Sequence, residues 1–222
     1  MKPFDYLQER TKEAQVELIN INFVQRGIAG DWTLEEYLHF LTQAYHHVKH
    51  TMPLLMYSGS KFSFEQEWLR DVMVEYVEEE HGHQIWILND IEAAGGNRPA
   101  VEHGKPGMAC DLMVSYAYDM ITRKSPVGFL GMVHVLEGTS IKAATQAAAN
   151  LQRNLHLPDN AFTYLNSHGC LDLKHVDFFE GIINKIEDRQ EIDFIADAAI
   201  TFFTLYGNIF KEAELKFSGV LV

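Results

Sequence analysis

Little in this chain of 222 residues is basic, and little of it is cysteine or proline. Lys and Arg number 18 against 31 Asp and Glu, a formal charge of −13, so the surface as a whole repels nucleic acid and anionic membranes. No cluster of Lys and Arg interleaved with aromatics offsets this locally. The 2 cysteines, Cys110 and Cys170, lack CxxC spacing, which excludes a disulfide framework and a zinc knuckle. Long apolar runs are missing as well, and stretches such as 128–136 are too short to span a bilayer. The first residues, Met1 to Arg10, read as amphipathic helix, with neither an apolar signal core nor an Arg/Ser-rich transit character. The expectation is a cytosolic protein with a small molecule, not nucleic acid or membrane, as its partner. Sustained period-2 alternation is nearly absent, which leaves little from which to build strands.

What is present is helical period. Gly, Pro and capping residues cut the sequence into about seven segments, and these predict an all-α chain forming one domain over 1–222. The first segment runs from about Pro3 to Gln25. The second follows a cap at Thr33, with Glu35 and Glu36 in its first turn, and continues to about Met56 with a kink near Pro53. The third spans about Phe64 to Ala94 and stops at the Gly95-Gly96 turn. The fourth covers about Met108 to Thr122. Ser125-Pro126 caps and opens the fifth, to about Leu151. The sixth follows Leu157-Pro158 through about Ile186, with a possible break near Ser167 to Gly169, and the seventh spans Gln190 to about Lys216. Long helices with short connections pack most simply as an antiparallel bundle.

The chemistry-bearing residues concentrate in three of these segments. In the sixth, His168, Asp172 and His175 stand at i, i+4 and i+7, and at about 100° per residue they fall within roughly 60° of one another on one stripe. Apolar neighbours Leu171, Val176, Phe178 and Phe179 suggest that the stripe faces a core, where such groups need compensation. In the third, Glu80 and His83 share a face at i, i+3, with Glu79 as the fallback for Glu80. In the fifth, Glu137 ends an apolar run in which a buried carboxylate needs a partner. Three carboxylates and three imidazoles can hold two metal ions, and this donor set suits iron or manganese better than zinc. Asp90 and His134 are candidates for orienting the ligands or relaying protons, although His134 also reads as a core histidine.

Other features read as structural. His46, His47 and His50 make a further cluster without zinc spacing, read as structural or exposed, with a cavity-lining or proton-transfer role, or a direct ligand role, as the alternatives. Neither cysteine has activating neighbours. Gly104-Lys-Pro-Gly107 matches no phosphate-binding spacing and reads as a turn. Phe202, Phe203, Tyr206 and Phe210 read as core, with an apolar substrate channel as the alternative.

The set Glu80-x2-His83, Glu137 and His168-x3-Asp172-x2-His175 resembles the heme-oxygenase-like diiron oxidases and oxygenases, which share a fold with TenA thiaminases, pyrroloquinoline-quinone synthase and heme oxygenase. The resemblance covers most of the chain. It implies a seven-helix domain, commonly a homodimer, that binds two Fe(II) and uses O2 as co-substrate on an organic molecule that the ligands do not specify. The other branches match less well: neither cysteine sits in a TenA-like arrangement, an acidic cluster is a poor host for a polycarboxylate, and no histidine precedes His39 to serve as a proximal heme ligand. A TenA-like hydrolase of a thiamine-related pyrimidine and a non-catalytic binder of the same fold remain the alternatives.

Overall fold

The computed structural model describes residues 1–138 and 140–219, with the backbone alone for 140–143 and 168–175. All regular structure among the described residues is helical: α1 (Pro3–Ile19), α2 (Asn22–Ala29), α3 (Leu34–Val48), α4 (Thr51–Lys61), α5 (Glu67–Glu80), α6 (His83–Ala93), α7 (Arg98–Glu102), α8 (Met108–Arg123), α9 (Phe129–Gly138), α10 (Ser140–Leu155), α11 (Thr163–Lys185) and α12 (Arg189–Phe217). The expected all-α bundle is what forms, but several expected segments divide. The first splits at Asn20 and Ile21 into α1 and α2, and the second splits at Lys49 and His50 into α3 and α4. Pro53 does not kink a continuous helix as expected. It sits in the first turn of α4, where its missing N–H leaves no bond unmade. The sixth segment behaves in the opposite way, since α11 continues through Ser167 to Gly169 without a break.

Local chemistry sets the ends. Thr33 closes a capping box at the start of α3: its hydroxyl accepts from the Glu36 N–H at 3.2 Å, and the Glu36 carboxylate accepts from the Thr33 N–H at 2.7 Å. Glu36 also takes Arg26 at 2.7 and 2.9 Å, which fastens α3 to α2. Ser125 accepts from the Val127 N–H ahead of α9.

α9 is the centre of the bundle. Residues Phe129 to Val135 are all buried, as expected of a helix that is apolar all round, and it packs against α12, α11, α10 and α8. Gly131 lets it approach α12 closely, since a Cβ there would stand 2.7 Å from the Ala199 nitrogen and the Ile195 oxygen. α12 corrects one expectation. At 29 residues and a mean hydropathy of 1.2 over its best window, it is long and apolar enough to cross a membrane by those criteria. In the fold its apolar face, including Ile195, Ala199, Phe202 and Phe203, is buried against α1, α8 and α9.

Candidate metal centre and its cavity

Glu80 and His83 do not lie on one helix. α5 ends at Glu80, Gly82 adopts a left-handed φ of 94°, and α6 begins at His83. Glycine takes this conformation without the steric cost that a Cβ brings. The corner still delivers the pair, with His83 Nδ1 2.9 Å from Glu80 Oε2 and both side chains nearly excluded from solvent. The imidazole lies over Trp86, with ring centroids 4.1 Å apart, which fixes its plane. Of the acidic run 78–80, only Glu80 is buried, and Glu78 and Glu79 are exposed.

Glu137, half-buried near the end of α9, and Glu80 line one cavity of about 170 Å³. Tyr76, one turn before Glu80 on the same face, joins them there. Its phenol is held well above its ordinary pKa, by burial first and then by the negative charge of Glu137, Glu79 and Glu80. Tyr164, His47 and Tyr206 supply most of the remaining polar lining, and the rest of the wall is overwhelmingly apolar. His47 meets the Tyr206 ring edge-on at 5.8 Å. Burial raises the Tyr206 phenol above its usual range.

His168, Asp172 and His175 have side chains outside the described residues. Their helix, α11, packs against α6, which His83 opens, and against α9, which carries Glu137. The six candidates thus stand on four helices, α5, α6, α9 and α11, and the backbone sets α11 against both α6 and α9. Among the described residues, no three His, Cys, Asp or Glu side chains converge closely enough to hold an ion. The donor chemistry of Glu80, His83 and Glu137, carboxylate oxygen and imidazole nitrogen at a largely apolar cavity, is of a kind that ferrous iron takes.

Asp90 and His134, the candidates for orienting ligands or relaying protons, are each held by hydrogen bonds to another element. Asp90 is fully buried and accepts from the Thr163 hydroxyl, from the Thr163 N–H at 3.1 Å and from the Tyr164 N–H at 2.8 Å. It caps the first turn of α11. Burial raises its pKa, with those three hydrogen bonds opposing the rise. His134 is turned away from the cavity, its Nε2 3.0 Å from the Thr11 hydroxyl oxygen and its ring stacked on Phe179 at 5.8 Å. Desolvation lowers its pKa to about 4, so it is a neutral core histidine.

Among the further histidines, only His47 reaches the cavity. His46 sits 3.1 Å from Lys49 Nζ with its pKa lowered to about 4 by burial and then by that cation, and His50 contacts the Tyr118 hydroxyl at 3.2 Å. Cys110 is buried, donates to the Gln43 carbonyl at 3.5 Å, and has its thiol pushed up to about 12 by burial. Cys170 lies outside the described side chains. Tyr76 and Tyr164 were not singled out from the sequence. The signal for Tyr76 was its position four residues before Glu80.

The family model described as iron-containing redox enzyme matches residues 38–207. This protein belongs to that family. No curated protein matches the chain significantly. Among solved structures, a domain with a heme oxygenase-like fold from Shewanella denitrificans superposes with a TM-score of 0.87 at 20% identity, covering 98% of this chain and 94% of that one. A TenA homologue from P. horikoshii gives 0.78 at 12% identity, with coverage of 96% and 98%. Heme oxygenase-1 from Synechocystis, solved in complex with heme, gives 0.76 at 14% identity, with coverage of 97% and 94%. These likenesses establish the heme oxygenase-like fold. The family match supplies the association with iron.

Proposed function

We propose that this member of the iron-containing redox enzyme family is a non-heme diiron oxidase or oxygenase. It holds two ferrous ions among Glu80, His83, Glu137, His168, Asp172 and His175, and it oxidises a small organic molecule in the adjoining cavity with O2 as co-substrate. The observation that carries this reading is the pairing of Glu80 with His83 at the edge of a largely apolar cavity that Glu137 also lines. Manganese is the second choice for the same donors. Bound iron supplies the electrons and the open coordination positions that dioxygen reduction needs. The chain does the rest. Tyr76 holds its proton beside the carboxylates, because ionising the phenol there would add negative charge to a buried acidic cluster. Asp90 anchors the start of the helix that carries three of the ligands. The apolar wall keeps water from the reacting centre, which strengthens every electrostatic contact made inside it.

A metal-free, TenA-like hydrolase would need an activated nucleophile. Cys110, with its raised pKa and its bond to the Gln43 carbonyl, is poorly suited to that role. A non-catalytic binder would show affinity without turnover. The test is anaerobic Fe(II) titration of the purified protein followed by exposure to oxygen. The expected result is uptake of two irons per chain and rapid oxygen consumption, with Glu137→Gln and Asp172→Ala each losing iron while remaining folded. Absence of iron uptake, or full iron content and oxygen reactivity in Asp172→Ala, sinks the assignment.

A further inference from the structure

Carboxylates make up only a small part of the cavity wall. The lining extends between α1, α2, α3 and α12, where Leu18, Val24, Ile28, Phe40 and Phe210 face the space together with Trp32. No Lys or Arg lies among the described lining residues. This part of the wall is built, not merely left over. The Trp32 indole N–H donates to the Phe23 carbonyl at 2.8 Å, its ring packs on Phe23 with centroids 4.7 Å apart, and a Cβ on Gly27 would stand 2.4 Å from it. Glycine at 27 is therefore what allows the indole to lie flat against α2.

Such a wall offers almost no partner to a polar group, and a polar group buried without one is costly. A phosphate or a second carboxylate would meet no Lys or Arg there among the described residues, and only scattered polar partners, the His47 imidazole on α3, the Thr51 hydroxyl on α4 and the Tyr206 phenol on α12. We propose that the cavity takes a mainly hydrocarbon substrate carrying a single small polar group, with that group at the end marked by Glu80, Glu137 and Tyr76. The inference rests on reading this cavity as the reaction chamber, and it specifies the substrate class that reading leaves open. Recognition then comes from burying methylene groups against the wall, and the polar end selects which carbon lies nearest the metal ligands.

Unbranched 1-alkanols of increasing length, titrated by calorimetry into the full-length protein without iron, probe the wall directly. Affinity is expected to rise about fourfold per added methylene and to level off when the chain outgrows the cavity. An alkyl phosphate of equal length is expected to bind at least roughly tenfold more weakly. Ala147→Phe and Val24→Phe each place a ring in the space between α2 and α10, and they should abolish the length dependence while keeping a cooperative thermal transition. Should one variant fail to fold, the other and the alkanol series still decide the matter. Affinity independent of chain length, alkyl phosphates as tight as alkanols, or unchanged binding in a folded variant overturns the inference. Length-dependent binding by a protein that takes up no iron upholds the substrate class and removes the oxidase reading. Iron uptake without alkanol binding does the reverse.

Discussion

At the scale of single residues, burial decides which titratable groups can carry charge. His134 is buried on the far side of α9 from the cavity lining, and its pKa falls from 6.5 to about 4 because the imidazolium would be desolvated. A depressed folded-state value on a base means that the unfolded chain binds more protons between those two values. Its contribution to stability is therefore complete above about pH 6.5 and is lost as pH falls toward 4. Urea unfolding of the wild type and His134→Phe across that interval should show a shallower pH dependence in the variant, by up to about 3 kcal/mol. Equal slopes would mean that the ring is not held neutral. Burial also distinguishes one carboxylate from its neighbours at 78–80. Three glutamates stand in a row, and the one that turns inward is the one with a histidine 2.9 Å away.

At the scale of elements, the corner between α5 and α6 matters most. Helical periodicity places Glu80 and His83 on one face of a continuous helix, whereas the chain turns between them and brings them together across a break. Gly82 makes this possible. No atom stands within 4 Å of a Cβ built there, so only its φ of 94° resists a side chain. Gly82→Ala should cost about 1–2 kcal/mol of stability and, by shifting the first turn of α6, weaken Fe(II) binding. Chemical denaturation and metal titration on the same protein separate the two effects. Unchanged affinity in a destabilised variant would show that the corner does not position His83. The anchoring of α11 by Asp90 belongs to this scale as well. Asp90, read from sequence as a candidate to orient ligands, acts on a whole helix through the N–H groups of its first turn.

At the scale of the whole molecule, helices from along the whole chain combine to line one largely apolar cavity, with Tyr76, Glu80 and Glu137 among its polar groups. The resemblance to heme-oxygenase-like diiron proteins also implies a pair of chains. We expect a homodimer in solution, which sedimentation equilibrium over a range of concentrations tests. A monomer at every concentration would place the complete site within one chain. The surface carries a net charge of −13, so a dimer joined through apolar contacts should be no weaker at higher salt, because screening reduces the repulsion between two acidic partners.

The sequence by itself determined the helical class and the approximate extent of α8, α11 and α12, because period and spacing are local properties that no distant contact changes. The HxxxDxxH stripe on α11 was legible for that reason, as were the caps at Thr33 and Ser125. Only the tertiary structure decided where long segments break, which of several histidines reaches the cavity, and which carboxylate of an acidic run is buried. It also decided that Tyr76 belongs with Glu80 and Glu137, and that His134 belongs with Thr11 and Phe179. The physical reason is common to all of these. A helix breaks or a side chain turns inward when packing against other elements outweighs local preference, and those elements lie dozens of residues away in the chain.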